Sequence, residues 1–260
     1  MLTNNPFSEL AGSISPGTMQ TFVIVMILLV IAGTIFDVIH KKSAKYFFEN
    51  MQRSKKNAKT VAGGEKMGIA IKTVAEDVLT SGEFCNPKRR IAHLLTMYGF
   101  ILFVVSTAVM IFCYTSADAG SAGVWPFLWH IGALAVCVGG YWFWFFIRVD
   151  VAAEGNSPFR LIKADLFVLS LLATTTFALL WSFFQAGALG WLFFVLFILS
   201  TLVLFGGVPW SKFAHMFFKP AAAFEKRVSV ADGTRNNLPA PADAPEKFGL
   251  GIKREAPKHY

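Results

Sequence analysis

The sequence predicts an all-α integral membrane protein: five transmembrane helices in a bundle, an amphipathic helix in a long loop, and a disordered C-terminal tail. Three observations carry that prediction. Hydrophobic residues make up 55% of the chain and charged residues only 15%, a balance too apolar for an ordinary soluble domain. The apolar residues fall into five runs of about twenty, the length a helix needs to cross a bilayer. All 24 Lys and Arg lie in three segments, 40–91, 148–163 and 211–260, which alternate with those runs. That asymmetry predicts that the three basic segments face the cytoplasm and the N-terminus lies outside. The net charge of +8 is therefore read as topology, and nucleic acid is excluded as a partner.

Residues 1–18 read as a polar outer leader without the basic start of a signal peptide. Ser15-Pro16 marks a helix start, and the first span is expected at about 19–39. The loop 40–90 is strongly basic. Within it Met67, Ala70, Ile71, Val74 and Val78 recur at helical spacing. That pattern predicts an amphipathic helix on the membrane surface or under a partner, against the alternative of a solvated basic loop held by anionic lipid.

The second span, about 91–114, follows the cluster Lys88, Arg89 and Arg90. The third, about 125–147, ends in the aromatic block Tyr141 to Phe146, which suits an interfacial belt or the lining of a flat ligand. The fourth is expected at 164–184, and a tight turn leads into the fifth at 191–208. Residues 19–220 thus form the membrane domain. The Ala- and Pro-rich segment 221–260 lacks apolar periodicity and reads as a cytoplasmic tail, disordered or used for docking. Cys85, Cys113 and Cys137 form no CxxC pair, so no iron–sulfur or zinc site is expected from this chain alone. The absence of an evident repeat, and of charge deep in spans two to five, speaks against a small transporter.

The histidines are the candidate functional residues. His40, His93 and His215 sit at three helix ends on the predicted cytoplasmic side, whereas His130 lies on the outer side and His259 in the tail. A b-type haem takes two axial nitrogens from different helices, and His93 with His215 suits that pattern. Arg89 and Arg90 are placed to meet haem propionates. His93, Met97, Phe100 and Val104 form one helical stripe able to face a ring, and Gly99 permits close helix approach. The alternative is that both histidines are interfacial residues bonded to carbonyls or lipid phosphates. Asp37 and His40, three residues apart at the end of span one, are candidates for proton exchange; the alternative is a helix-end pair at headgroup depth.

The segments KRRIAHLLTMYGF and WSKFAHMFFKP, with the five-span layout over residues 20–220, resemble the cytochrome b membrane subunits of the nitrate-reductase gamma type. That group includes the membrane subunits of heterodisulfide-reductase-like and quinone-interacting complexes. Within it, the chain is most similar to the membrane anchors associated with dissimilatory adenylylsulfate reductase. The resemblance implies a subunit of a respiratory complex in a prokaryotic cytoplasmic membrane. Such a subunit exchanges electrons between the quinone pool and a docked cytoplasmic flavin/iron–sulfur oxidoreductase. By the motif match His93 and His215 are the haem ligands. Two-haem members use two histidines on each side of the membrane; here the outer side offers only His130, so one haem b is expected and a second is not. A haem-free anchor that only tethers the soluble enzyme is the rival reading.

Orientation has a direct test. Cysteines placed at Ser121 and Ser54, in a chain lacking Cys85, are expected to react from opposite sides with an impermeant thiol reagent. Equal labelling in intact cells and inverted vesicles would sink the assignment.

Overall fold

The computed structural model describes residues 2–40, 49, 52, 59–82, 84, 86–115, 122–185, 187–211, 213 and 215–234. The expectations for Ser54, Cys85, Ser121 and residues 235–260 fall outside these. The described residues hold helices and no strand, and five helices are long and apolar enough to span a membrane. The chain is a multi-pass, all-α membrane protein. Its elements are α1 (Pro6–Leu10), α2 (Pro16–His40), α3 (Gly63–Lys72), α4 (Pro87–Cys113), α5 (Trp125–Trp142), α6 (Val149–Ala152), α7 (Leu166–Phe183), α8 (Ala188–Gly206) and α9 (His215–Ala231). π-helical turns extend α3 over Thr73–Leu79 and α5 over Phe143–Ile147. Helix starts follow local chemistry. Ser15 Oγ accepts from Thr18 N ahead of α2, and Asn86 Oδ1 accepts from Lys88 N ahead of α4, each with proline at the first helical position.

The chain divides into two compact units. The first comprises 1–37 and 91–214 and contains the spans. Its tightest seam joins α4 to α5. A Cβ on Gly99 would lie 2.7 Å from Gly132 O, and one on Gly132 would lie 2.7 Å from Gly99 O. One Cβ on Gly139 would meet Ala92 O at 2.7 Å. Ala92, Gly99 and Ser106 therefore form a small-residue stripe at seven-residue spacing, the device that lets membrane helices pack backbone to backbone.

Just past that seam lies an aromatic core around the fully buried Trp129. Phe103 stacks on it at 5.2 Å, and Phe7 and Trp181 meet it edge-on at 6.0 and 6.5 Å. Trp181 in turn stacks on Phe197 of α8 at 5.8 Å. Phe7 comes from α1, so the expected polar leader is instead a structural plug. Asn5 caps α1 and donates to Tyr114 O (3.0 Å), while Gln185 Nε2 donates to Pro6 O (2.9 Å).

Helix α2 contributes only a narrow seam. Met19, Met26 and Gly33 are buried at seven-residue spacing, and the aliphatic residues between them are exposed on the lipid-facing side. A Cβ on Gly33 would come within 2.9 Å of Val208 Cβ, so glycine sets how closely α2 approaches the end of α8.

The second unit comprises 38–90 and 215–260. Here α9 packs against α3 and its π-helical extension. The Arg227 guanidinium spans two carboxylates, with Nε 2.8 Å from Asp77 Oδ2 and an Nη 2.8 Å from Glu76 Oε2. Hydrogen bonds that Arg227 donates to Asp77 and then to Glu76 raise its pKa above the ordinary value. Lys59 N donates to Asp232 O at 2.9 Å, closing the unit. Residues 221–231 are thus helical, where the sequence suggested a disordered tail. The helix expected around 65–79 is present, but its apolar residues divide. Thr73 is buried and Ile69, Ala70 and Val78 are half-buried, whereas Met67, Ile71 and Val74 are exposed. The π-helical turn, wider than an α-helical one, shifts the face that follows it.

The α4–α5 seam yields a stability prediction. Gly99→Val is expected to lower stability by about 1–3 kcal/mol or to prevent assembly, through overpacking at Gly132 O. Gly68→Ala, where an added Cβ meets nothing, should be neutral or stabilising. Thermal unfolding in detergent compares the two, and equal behaviour would disprove the seam.

Candidate functional site

The sequence singled out the basic end of the spans. On α4 the seam residue Ala92 is buried, and His93, next to it, is half-buried with Met97 and Phe100 following on the same stripe. Phe100 lies 6.3 Å from Phe205 of α8, so this stripe turns toward α8 at that level. Val104 is 37% exposed, so the stripe reaches lipid by its last member. Phe205 contacts Phe213 at 6.0 Å, and Phe213 meets Phe167 of α7 edge-on at 5.4 Å. Four rings from α4, α7, α8 and the segment after α8 thus form one connected wall within the first unit. Sequence reading missed it, because Phe167, Phe205 and Phe213 are unremarkable among 27 phenylalanines.

Asp37 belongs to the same unit and its carboxylate is buried. Gly33, one turn earlier on the same face, meets Val208 and Pro209, which brings this part of α2 beside the end of α8. Thr34 Oγ1 is a buried hydroxyl without a hydrogen-bond partner among the described residues. His40, at the end of α2, is exposed and counts with the second unit.

His215 opens α9 and belongs to the second unit, while His93 belongs to the first. Arg89 and Arg90 are engaged in the second unit. The Arg89 guanidinium lies 5.8 Å over the Phe84 ring, and Arg90 Nε donates to Thr80 O at 2.7 Å. Their expected role at propionates would compete with these contacts.

His130 is held entirely by protein. Its Nδ1 is 2.7 Å from Pro126 O, and its Nε2 is 2.8 Å from Ser182 Oγ. With both ring nitrogens occupied, it does not fit an axial ligand. Met110 is fully buried in the apolar core. The residues on the His130 side therefore do not fit a haem. Among the described residues no group of three or more His, Cys, Asp or Glu gathers as a metal site would require. Cys137 lies against Thr175 and Thr176 in the α5–α7 contact, at 3.5 and 3.6 Å.

The aromatic block divides by burial. Trp144 is buried with the Arg148 guanidinium 4.0 Å over its ring, whereas Phe146 is 72% exposed. Arg148 and Asp165 form a buried ion pair at 2.7 Å, which sequence reading also missed. Seventeen residues separate the pair, and nothing in their local pattern couples them.

Comparison of the chain with protein-family models, with curated proteins and with solved structures found no match.

The hydrogen bonds of His130 assign it a structural role with a measurable cost. His130→Ala leaves Ser182 Oγ without this partner in the interior, and is expected to destabilise the protein by about 1–3 kcal/mol in thermal unfolding. An unchanged unfolding temperature would remove that role.

Proposed function

We propose that the protein is the membrane subunit of a respiratory electron-transfer complex. It exchanges electrons between the quinone pool and a docked flavin/iron–sulfur oxidoreductase of the adenylylsulfate-reductase type, through one haem b. The observation that supports this reading best is the division of labour along the chain. The first unit holds the spans and the phenylalanine wall beside His93, Met97 and the α2 segment carrying Asp37. The second unit holds 20 of the 24 Lys and Arg but only ten of the 16 Asp and Glu. An apolar unit with a polar corner suits a quinone ring, and a basic helical unit suits an acidic protein partner.

In this reading the aromatic wall binds the quinone ring, Thr34 offers a hydrogen bond to its oxygen, and Asp37 with His40 exchanges protons with solvent. Quinone reduction consumes two electrons and two protons, and quinol oxidation releases the same. A haem supplies one-electron transfer, with His93 and His215 assigned as axial ligands by the sequence resemblance. Orientation follows from the basic segments, with the second unit in the cytoplasm of a prokaryote.

The second reading, a haem-free anchor that tethers the soluble enzyme, is favoured by one observation. Arg89 and Arg90, the cations nearest His93 in sequence, are already engaged with Phe84 and Thr80. Spectra separate the readings. The purified protein, expressed with its partner and ample haem, is expected to show a sharp reduced α band from about one haem per chain. His93→Ala and His215→Ala should each abolish it, and His130→Ala should leave it in whatever protein folds. A colourless wild-type chain makes the anchor the better reading, and loss of the band only in His130→Ala puts the haem on the other side of the membrane.

A further inference from the structure

Helix α3 carries three different faces. Ile69 and Thr73 turn into the second unit, half-buried and buried. Glu65, Gly68, Lys72 and Glu76, at spacings of three and four residues, form an exposed polar stripe. Met67, Ile71 and Val74 form the third face, which is apolar and yet 63%, 64% and 50% exposed. Their spacing of i, i+4 and i+7 sets them in one line along the helix. α9 packs against this helix and its π-helical extension and leaves that line open.

The unit that carries the line is joined to the spans without a linker. α2 is unbroken from Pro16 to His40, so its spanning part passes directly into Val38–His40 of the second unit. α4 does the reverse, running from Pro87–Arg90 of the second unit straight into Ile91. α9 begins at His215, the residue after the first unit ends. These three direct connections confine the second unit to the neighbourhood of the bilayer surface. Aliphatic surface reaches the same level, where Ile39 at the end of α2 is 70% exposed and Ile91 on α4 is 49% exposed.

We propose that Met67, Ile71 and Val74 insert into the bilayer surface, so that α3 lies in the headgroup plane and anchors the second unit laterally. The makeup of the line selects lipid over a protein partner. It holds no aromatic ring, no arginine and no hydrogen-bonding group, the features that anchor specific protein contacts. Aliphatic and thioether side chains suit acyl chains, which need only apolar contact. Charge does not drive the insertion, because Glu65, Glu76 and Asp77 stand against Lys66, Lys72 and Arg227 on and across this helix. Apolar burial is therefore the driving term, and a neutral lipid suffices. The inference is independent of the haem and quinone reading, since it needs only the spans and the connections to them.

The test uses the full chain in nanodiscs of phosphatidylcholine alone, with photoreactive benzoylphenylalanine replacing one residue at a time. After irradiation, mass spectrometry of the peptides reads what each probe has captured. Probes at Met67, Ile71 and Val74 should carry phosphatidylcholine adducts, and the same probe at Gly68 or Ala75 should not. The adducts should persist in about 0.5 M salt, which screens exposed charges. Ile71→Glu lies at an exposed position and spares the interior of the unit. With the probe at Met67, it should cut the adduct by roughly tenfold or more, the worth of one buried aliphatic side chain. Equal adducts at Met67 and Gly68 overturn the proposal, as does loss of the adducts in salt or an unchanged yield in Ile71→Glu. Capture of protein in place of lipid at Met67 and Ile71, whether from this chain, a second copy or an added soluble partner, overturns it as well and makes the line a protein contact.

Discussion

The first unit depends on the contact between Gly99 and Gly132, where two helix backbones meet with no side chain between them. In a bilayer the hydrophobic effect gives helices little reason to associate, because lipid tails are as apolar as leucine. What holds them is close packing, and packing improves as backbones approach. The glycines admit that approach, and the ring of Phe103 then lies flat on Trp129. A bulkier residue at the seam would separate the two rings as well as the two backbones. The aromatic core and the small-residue seam are thus one construction, with small residues bringing the helices close and large ones filling the space beside them.

Polar side chains add direction to that packing. Helix α5 bonds to α4 through Trp129 Nε1 and Thr107 Oγ1 at 2.9 Å. It bonds to α7 through His130 and Ser182, and again through Tyr141 and Thr176. Each is a modest interaction, yet in hydrocarbon the groups involved have few other partners. Van der Waals contact tolerates sliding and rotation, whereas these bonds specify a register. An electron carrier benefits from such fixity, because transfer needs its donor and acceptor at a steady separation. The same fixity is compatible with a simple anchor, so architecture alone supports both readings and spectroscopy discriminates between them.

Much of this fold was legible in the sequence because hydropathy is a local property. The five spans, Ser15-Pro16 as a helix start and Gly99 as a close contact all follow from residues within a turn or two of one another. The missed features share the opposite character. Phe7 lies in a helix of five residues, too short to show a period, and only its contact with Trp129 and Trp181 reveals its purpose. Residues 221–231 look like tail by composition, yet they form a helix whose partner lies far back in the chain. Arg148 read as a topology signal, because its pairing with Asp165 spans a whole loop. In the candidate site, sequence position singles out Asp37, His40 and His93 near helix ends and Met97 on a helical stripe, whereas the rings of Phe167, Phe205 and Phe213 could be grouped only in three dimensions.

The fork of Arg227 on Glu76 and Asp77 has a consequence for the order of synthesis. Arg227 follows Asp77 by 150 residues, and four of the five spans are made in between. During translation α3 therefore emerges long before α9 exists to pack against it. A ribosome that stalls in that interval leaves a chain that carries α3 without the helix that packs against it. Only a chain made through α9 can present the finished unit. The two halves of that unit are thus brought together only at the end of synthesis, because of where they sit in the gene.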